Sequence, residues 1–126
     1  MKIVLIADDS PVVRKVGRRL LEDMGFVVAD ASNASDAIQI CKDSLPDVVI
    51  IDRGMPGPNA IDAIAEIRRM GNDIRILYSL SEVIVPEMTR AKRAGADGFL
   101  VKPFDRSILE RRLDEARVAL PNQYAA

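Results

Sequence analysis

The residues whose types and placement could do chemistry are Asp8, Asp9, Asp52, Lys102, and a hydroxyl at Ser79 or Ser81. Each stands where an apolar run ends: Lys2–Ala7 before the acid pair, Val48–Ile51 before Asp52, Ile74–Tyr78 before Ser79, and Phe99–Val101 before Lys102. In an open parallel sheet, ligands bind outside the carboxyl ends of the strands, so these groups are expected at one crevice. Taken singly, an Asp after a strand is most often a cap or turn residue; the convergence carries the weight. Three crowded carboxylates repel one another unless a cation shares them. A hard divalent ion with oxygen ligands, Mg²⁺, suits that donor set and keeps positions for water and phosphate oxygens. Lys102 adds a point charge and the hydroxyl a donor for an oxyanion. This combination suits phosphoryl transfer, with Asp52 as nucleophile.

The elements that must position these groups are legible from periodicity. Val48-Val49-Ile50-Ile51 is continuously apolar, the pattern of a strand buried on both faces. Lys2–Ala7, Phe26–Ala29, Ile74–Tyr78 and Asp97–Val101 read as four more strands. Ser10-Pro11 reads as a helix start with a capping hydroxyl and Pro in the first turn. That helix runs to about Met24, with Val13, Val16, Leu20 and Met24 expected inward and Gly25 closing it. A second helix starts at Asn33 or Ser35 and turns Ala37, Ile38 and Cys41 inward; Leu45-Pro46 ends it. The next carries Ala60, Ile61, Ala63, Ile64, Ile67 and Met70, and another, Val83 to Ala94, is expected to bury Ile84, Met88, Ala91 and Ala94. The last, Asp105 to about Ala119, turns Leu109, Leu113, Ala116 and Leu120 to the sheet. Five strands alternating with five helices imply an α/β fold, a parallel sheet covered on both faces. Residues 1–120 are expected to form one domain and 121–126 a frayed C-terminal tail.

Composition bounds the function. Apolar residues make up 48% and charged residues 29% of the 126, with a net charge of −1, which gives no global pull toward nucleic acid or anionic lipid. No apolar run approaches the roughly 20 residues a spanning helix needs, and no signal peptide is visible. The single cysteine, Cys41, excludes an internal disulfide and fits a reducing, cytoplasmic setting. The chain has no His, so a Ser-His-Asp triad, a histidine-ligated zinc and a His-activated Cys41 are all excluded.

The chain resembles the receiver domain of two-component response regulators over essentially its whole length. The resemblance rests on Asp8-Asp9, on Asp52-Arg53-Gly54-Met55-Pro56-Gly57, on the hydroxyl after the fourth strand, and on Gly95-Ala96-Asp97-Gly98-Phe99-Leu100-Val101-Lys102-Pro103-Phe104. It implies the doubly wound strand order 2-1-3-4-5 that flavodoxin and CheY exemplify. It also implies that Asp52 accepts a phosphoryl group from a histidine kinase or histidine phosphotransfer protein. Asp8, Asp9, Asp52 and the Gly54 carbonyl would serve Mg²⁺, Ser79 and Lys102 would contact the phosphate, and Phe99 would be the aromatic switch. Such a protein catalyses only its own phosphoryl acceptance and autodephosphorylation. Ser79-Leu80-Ser81-Glu82 departs from the family's usual hydroxyl followed by a small residue, and either serine lies one residue off the commonest spacing to Lys102; Ser79 is favoured because it directly follows the apolar run. Pro103 is a candidate for a cis bond.

Other readings fit less well. A phosphatase of the haloacid dehalogenase type wants a second acid two residues after Asp52, where Gly54 stands, and in a flavodoxin Asp8-Asp9 would repel the phosphate. A receiver fold used as a binding module without phosphorylation, as a scaffold or a binder of an anionic ligand such as a cyclic dinucleotide, is the remaining alternative. With no DNA-binding domain in the sequence, the chain is expected to act either as a free-standing receiver, docking on a target such as a flagellar motor or a histidine phosphotransfer protein with chemotaxis a candidate pathway, or as a fragment of a larger regulator, the free-standing case being favoured. Arg90, Lys92 and Arg93 on the fourth helix and Arg106, Arg111 and Arg112 on the fifth lie near the output face of helix 4, strand 5 and helix 5. Interspersed Glu87, Glu110, Asp114 and Glu115 make a solvated, salt-bridged surface the ordinary expectation there.

Overall fold

The computed structural model describes residues 2–121. Strands β1 (Ile3–Ala7), β2 (Val27–Ala31), β3 (Val48–Asp52), β4 (Arg75–Leu80) and β5 (Gly98–Val101) alternate with helices α1 (Pro11–Asp23), α2 (Ala34–Asp43), α3 (Ala60–Arg68), α4 (Val85–Ala94) and α5 (Arg106–Glu115). All strand pairings are parallel and the order is β2-β1-β3-β4-β5, as the family resemblance implied. Every residue of β3 is buried, because helices cover both of its faces. Strand residues alternate between two cores. Leu5, Val49, Ile51, Ile76 and Tyr78 pack toward α2, α3 and α4, whereas Val4, Ile6, Ile50, Leu77 and Leu100 pack toward α1 and α5.

The helix starts follow their capping residues. Ser10 Oγ accepts the Val13 amide with Pro11 at the first position of α1, Asn33 Oδ1 accepts the Asp36 amide, and Asp105 Oδ1 the Ile108 amide. The packing face of α1 differs from the expected one. Val16 is 47% exposed, while Gly17 and Leu21 are buried with Met24. Gly17 lets α1 approach β1 so closely that a Cβ there would lie 2.4 Å from Ile6 Cδ1, so α1 packs through Gly17 and Leu21 beside the expected Leu20 and Met24, and Val16 is left outside.

Other boundaries also shift. β2 begins and ends later than expected, at Val27 and Ala31, and β4 continues through Ser79 to Leu80. α4 starts at Val85, leaving Val83 exposed; it buries Ala91, while Ile84, Met88 and Ala94 are half-buried. α5 ends at Glu115, four residues short of Ala119, though Leu120 is buried. Of the expected tail, residues 122–126 lie outside the described residues.

Arg68 ties the end of α3 to the turn before β5. Its guanidinium donates to the carbonyls of Gly71, Asn72, Ile74 and Gly95 and to Asp97, which in turn accepts the Ile76 amide. Gly95 closes α4 at φ 127°, and a Cβ on it would lie 2.8 Å from Arg68 Cγ. Gly95→Ala therefore combines left-handed strain with displacement of Arg68, and is expected to cost about 1–3 kcal/mol, outweighing the entropic gain of about 0.4–1 kcal/mol that Gly→Ala brings at a compatible site. Urea unfolding measures this; an unchanged midpoint would mean that the turn relaxes without cost.

Candidate functional site

The alternation that builds the two cores also aims the site. Along β1, Val4 and Ile6 face α1 and α5, and Asp8 continues that side past the strand's end. Asp52 follows Val48 and Ile50 in the same way, and Lys102 follows Leu100. Because β1 and β3 are neighbours, Asp8 and Asp52 arrive together, and Lys102 reaches them from two strands away. Its ammonium lies 2.7 Å from Asp52 Oδ1 and 3.0 Å from Asp8 Oδ2. Asp8 is 2% and Asp52 4% exposed. The Lys102–Pro103 peptide is cis.

The remaining carboxylate oxygens of the two buried acids are held by the backbone: Asp8 Oδ1 accepts the Ser10 amide at 2.9 Å, and Asp52 Oδ2 the Gly54 amide at 3.1 Å. Asp9 is exposed, yet it can bring a carboxylate oxygen within 4.8 Å of ones on Asp8 and Asp52. Burial pulls the Lys102 ammonium toward its neutral form, but hydrogen bonds to Asp52 and Asp8 outweigh it and hold its pKa above the ordinary lysine value. Three carboxylates against one ammonium leave the cluster short of positive charge, and hard oxygen donors at this spacing fit a divalent cation of the Mg²⁺ kind.

Ser79 pairs with Asp52 across the β3–β4 ladder and is 2% exposed, inside the strand rather than after it. Ser81 is exposed, just beyond the strand end. The structure thus brings Asp8, Asp9, Asp52 and Lys102 together and sets Ser79 beside Asp52 in the ladder. Phe99 lies on the other side of β5. It is half-buried and lines an open groove of about 410 Å³ with Val83, Met88, Ala96 and Val101. Of the basic set, Arg90, Lys92, Arg93, Arg106 and Arg111 are exposed. Arg106 pairs with Glu110 at 2.7 Å and Arg112 with Glu115 at 2.9 Å, the solvated salt-bridged surface expected of such a pattern.

Two contacts had no signal in the sequence. Arg53 turns to Glu87 in the first turn of α4, with a guanidinium hydrogen bond to each carboxylate oxygen, and the Tyr78 hydroxyl lies 3.5 Å from Glu87 Oε2. The Arg53 hydrogen bonds hold the Glu87 carboxyl below the usual range, while burial and then Glu87 push the Tyr78 phenol up. The other is Arg14, whose guanidinium reaches the Asp8 carbonyl at 2.8 Å. A charged residue on a helix reads as solvated until the partner's position is known.

The parallel sheet thus carries three acids at its carboxyl edge with a lysine closing them. Residues 4–114 match the response regulator receiver domain family, and the chain belongs to it. It is 34% identical over 105 residues to the chemotaxis protein CheY of Halobacterium salinarum, an alignment covering 83% of this chain and 88% of that one. It superposes on chemotaxis protein CheY4 of Vibrio cholerae with a TM-score of 0.86 and 30% identity, over 94% of this chain and 99% of that one. A response regulator of Burkholderia pseudomallei, solved with a phosphorylated aspartic acid, calcium ion and citrate, gives a TM-score of 0.83 and 26% identity over 93% and 69%. The chain is thus a CheY-like receiver domain of the two-component response regulators, a family that binds Mg²⁺ at its acidic pocket and works with histidine kinases or phosphotransfer proteins. Among the described residues no helix is long and apolar enough to cross a membrane.

A pH dependence follows from Lys102. Its folded pKa is raised, so the stability it contributes is complete below the unfolded value of about 10.4 and is lost as pH rises through the folded value. The stability difference between wild type and Lys102→Met should be constant from about pH 7 to 9 and change only above roughly pH 10. Parallel urea titrations check this; a difference that vanished near neutrality would mean that the ammonium is not held by the two acids.

Proposed function

We propose that Asp52 is the phosphoryl acceptor of a phosphorelay. The observation that carries this is the Asp52 carboxylate, nearly solvent-free, with one oxygen on the Lys102 ammonium and the other on the Gly54 amide, beside two further acids. An Asp52 oxygen attacks the phosphorus of a phosphohistidine; the P–N bond breaks, and the imidazole nitrogen leaves with the bonding pair. Lys102 keeps its charge at the transferred group, and a hydroxyl from Ser79 or Ser81 donates to a phosphoryl oxygen. Asp8, Asp9, Asp52 and the Gly54 carbonyl would hold Mg²⁺, which when bound supplies charge neutralisation at the phosphoryl oxygens. Water later cleaves the acyl phosphate, returning carboxylate and inorganic phosphate. Support comes from the phosphorylated aspartate of the Burkholderia relative.

Output is assigned to the face formed by α4, β5 and α5, where Phe99 lines the groove. The occupant is a downstream protein in the cytoplasm, and the chemotaxis proteins among the relatives suggest motility as the pathway. Residues 1–120 act as the receiver and residues 121–126 as its tail.

Acetyl phosphate with Mg²⁺ should add one phosphoryl group, read by intact-protein mass, and Asp52→Asn should abolish the addition. Absence of labelling in wild type would favour a binding module that works without phosphorylation. Phe99→Ala should cost less than the roughly 3–5 kcal/mol of a fully buried Phe, because the ring is only half-buried. Beryllofluoride should shift the Met88 and Ala91 amides in wild type, and Phe99→Ala should erase those shifts. A full core penalty with unchanged shifts would make Phe99 an ordinary core residue.

A further inference from the structure

We infer that Arg14 is a positioning residue for the metal-binding acid Asp9, acting through the backbone; the inference rests on the metal site proposed above. Asp9 is the exposed member of the acid trio, and its side chain makes no hydrogen bond among the described residues. Its direction is therefore set by the two peptides that flank it. The peptide after it is held by the Ser10 amide, which donates to Asp8 Oδ1 at 2.9 Å. The peptide before it carries the Asp8 carbonyl, and that oxygen accepts Arg14 Nη1 at 2.8 Å. With the Asp8 amide donating to the Ala31 carbonyl at 3.0 Å, the turn is tied on both sides of Asp9. Loss of Arg14 frees the Asp8–Asp9 peptide to rotate, and with it the direction of the Asp9 Cα–Cβ bond.

Arg14 is itself well anchored. It sits one turn into α1, its side chain is 22% exposed, and its Nε lies 3.9 Å from Asp30 Oδ1. Arg18 shares Asp30 at 2.6 Å but donates its other nitrogen to the Val28 carbonyl, away from the acids. Arg18 is thus an internal control, with the same carboxylate partner and no hand on the metal turn.

Two effects of Arg14 on a bound cation oppose each other. Its positive charge disfavours a second cation nearby, but that charge is shared with Asp30 and screened at the surface. Fixing the geometry of a ligand acts in the other direction, and loss of an outer-shell partner commonly weakens metal binding by about 10–100-fold. The second effect prevails here, because the guanidinium donates to a peptide carbonyl rather than to a ligating carboxylate.

The experiment measures Mn²⁺ affinity by electron paramagnetic resonance of the free ion, and the ¹⁵N order parameter of the Asp9 amide without metal. Arg14→Ala should weaken Mn²⁺ binding by about tenfold, and should lower the Asp9 order parameter. Arg14→Lys should recover part of both, and Arg18→Ala should leave both unchanged. With acetyl phosphate, Arg14→Ala should need more Mg²⁺ for half-maximal labelling yet reach the wild-type rate at saturation, a split that general destabilisation does not produce. Equal or tighter Mn²⁺ binding in Arg14→Ala, or an unmoved Asp9 amide, would overturn the role of Arg14 while leaving the metal site standing. Wild-type Mn²⁺ binding that survives Asp9→Ala would instead overturn the metal reading on which the inference rests.

Discussion

The Lys102 ammonium stands between Asp8 and Asp52 at a sheet edge where both acids are nearly removed from water. An ionised carboxylate so buried costs several kcal/mol unless a counter-charge and hydrogen bonds replace its hydration. Each acid here receives both, an ammonium on one oxygen and a backbone amide on the other. Such compensation works only if three strands end at the right level. The parallel ladder provides that: β1 and β3 are paired directly, and β5 lies two strands from β3, with β4 between them. The side-chain period of two then decides the face. A register slip of one residue in β5 would send Lys102 toward α4 and leave the two acids facing each other.

The same alternation separates the site from the groove. Lys102 and Phe99 are three residues apart, so they fall on opposite sides of β5. Lys102 joins the acids, and Phe99 lines the surface between α4 and α5. A change at Asp52 would have to reach the groove through the sheet itself. The Arg53–Glu87 pair is a second physical link, from the residue after Asp52 to the first turn of α4. An exposed pair of this kind contributes little stability. Its interest lies in joining the loop to the helix.

Much of this was legible in the chain itself. Runs such as Val48–Ile51 can hardly be anything but strands covered on both faces, and the acids and lysine at their ends needed only the parallel order to meet. The misreadings came where tertiary contact overrides pattern. Val16 has the right spacing to face inward, but α1 packs closely through Gly17 and Leu21 and leaves it outside. Ser79 looked like a loop residue because the apolar run stops at Tyr78. Strand pairing to Asp52 and Leu100 carries β4 past it regardless of polarity. Arg14 and Glu87 were indistinguishable from solvated helix charges, since their partners lie on other elements. Propensity and period describe an element's own face; they hold no information about which long side chain finds a distant carbonyl.

The charge balance of the site is consistent with the proposed phosphoryl acceptance at Asp52. Asp8, Asp9 and Asp52 carry three negative charges against the single positive charge of Lys102. A divalent cation would bring the cluster close to neutral. Phosphorylation at Asp52, as proposed, would replace its carboxylate by a group of about −1.5 to −2 charge, so the neutral cluster would become negative again by a fraction of a unit to about one unit. With the ammonium already counted, that excess would fall to a neutral donor such as a serine hydroxyl at the β4 end. Without the lysine, the same substitution would add charge to acids already short of compensation. Without Asp9, the cation would have two carboxylates, both already engaged by Lys102. The exposed acid and the half-buried lysine would then be complementary: one recruiting charge from solvent, the other supplying it from within the fold.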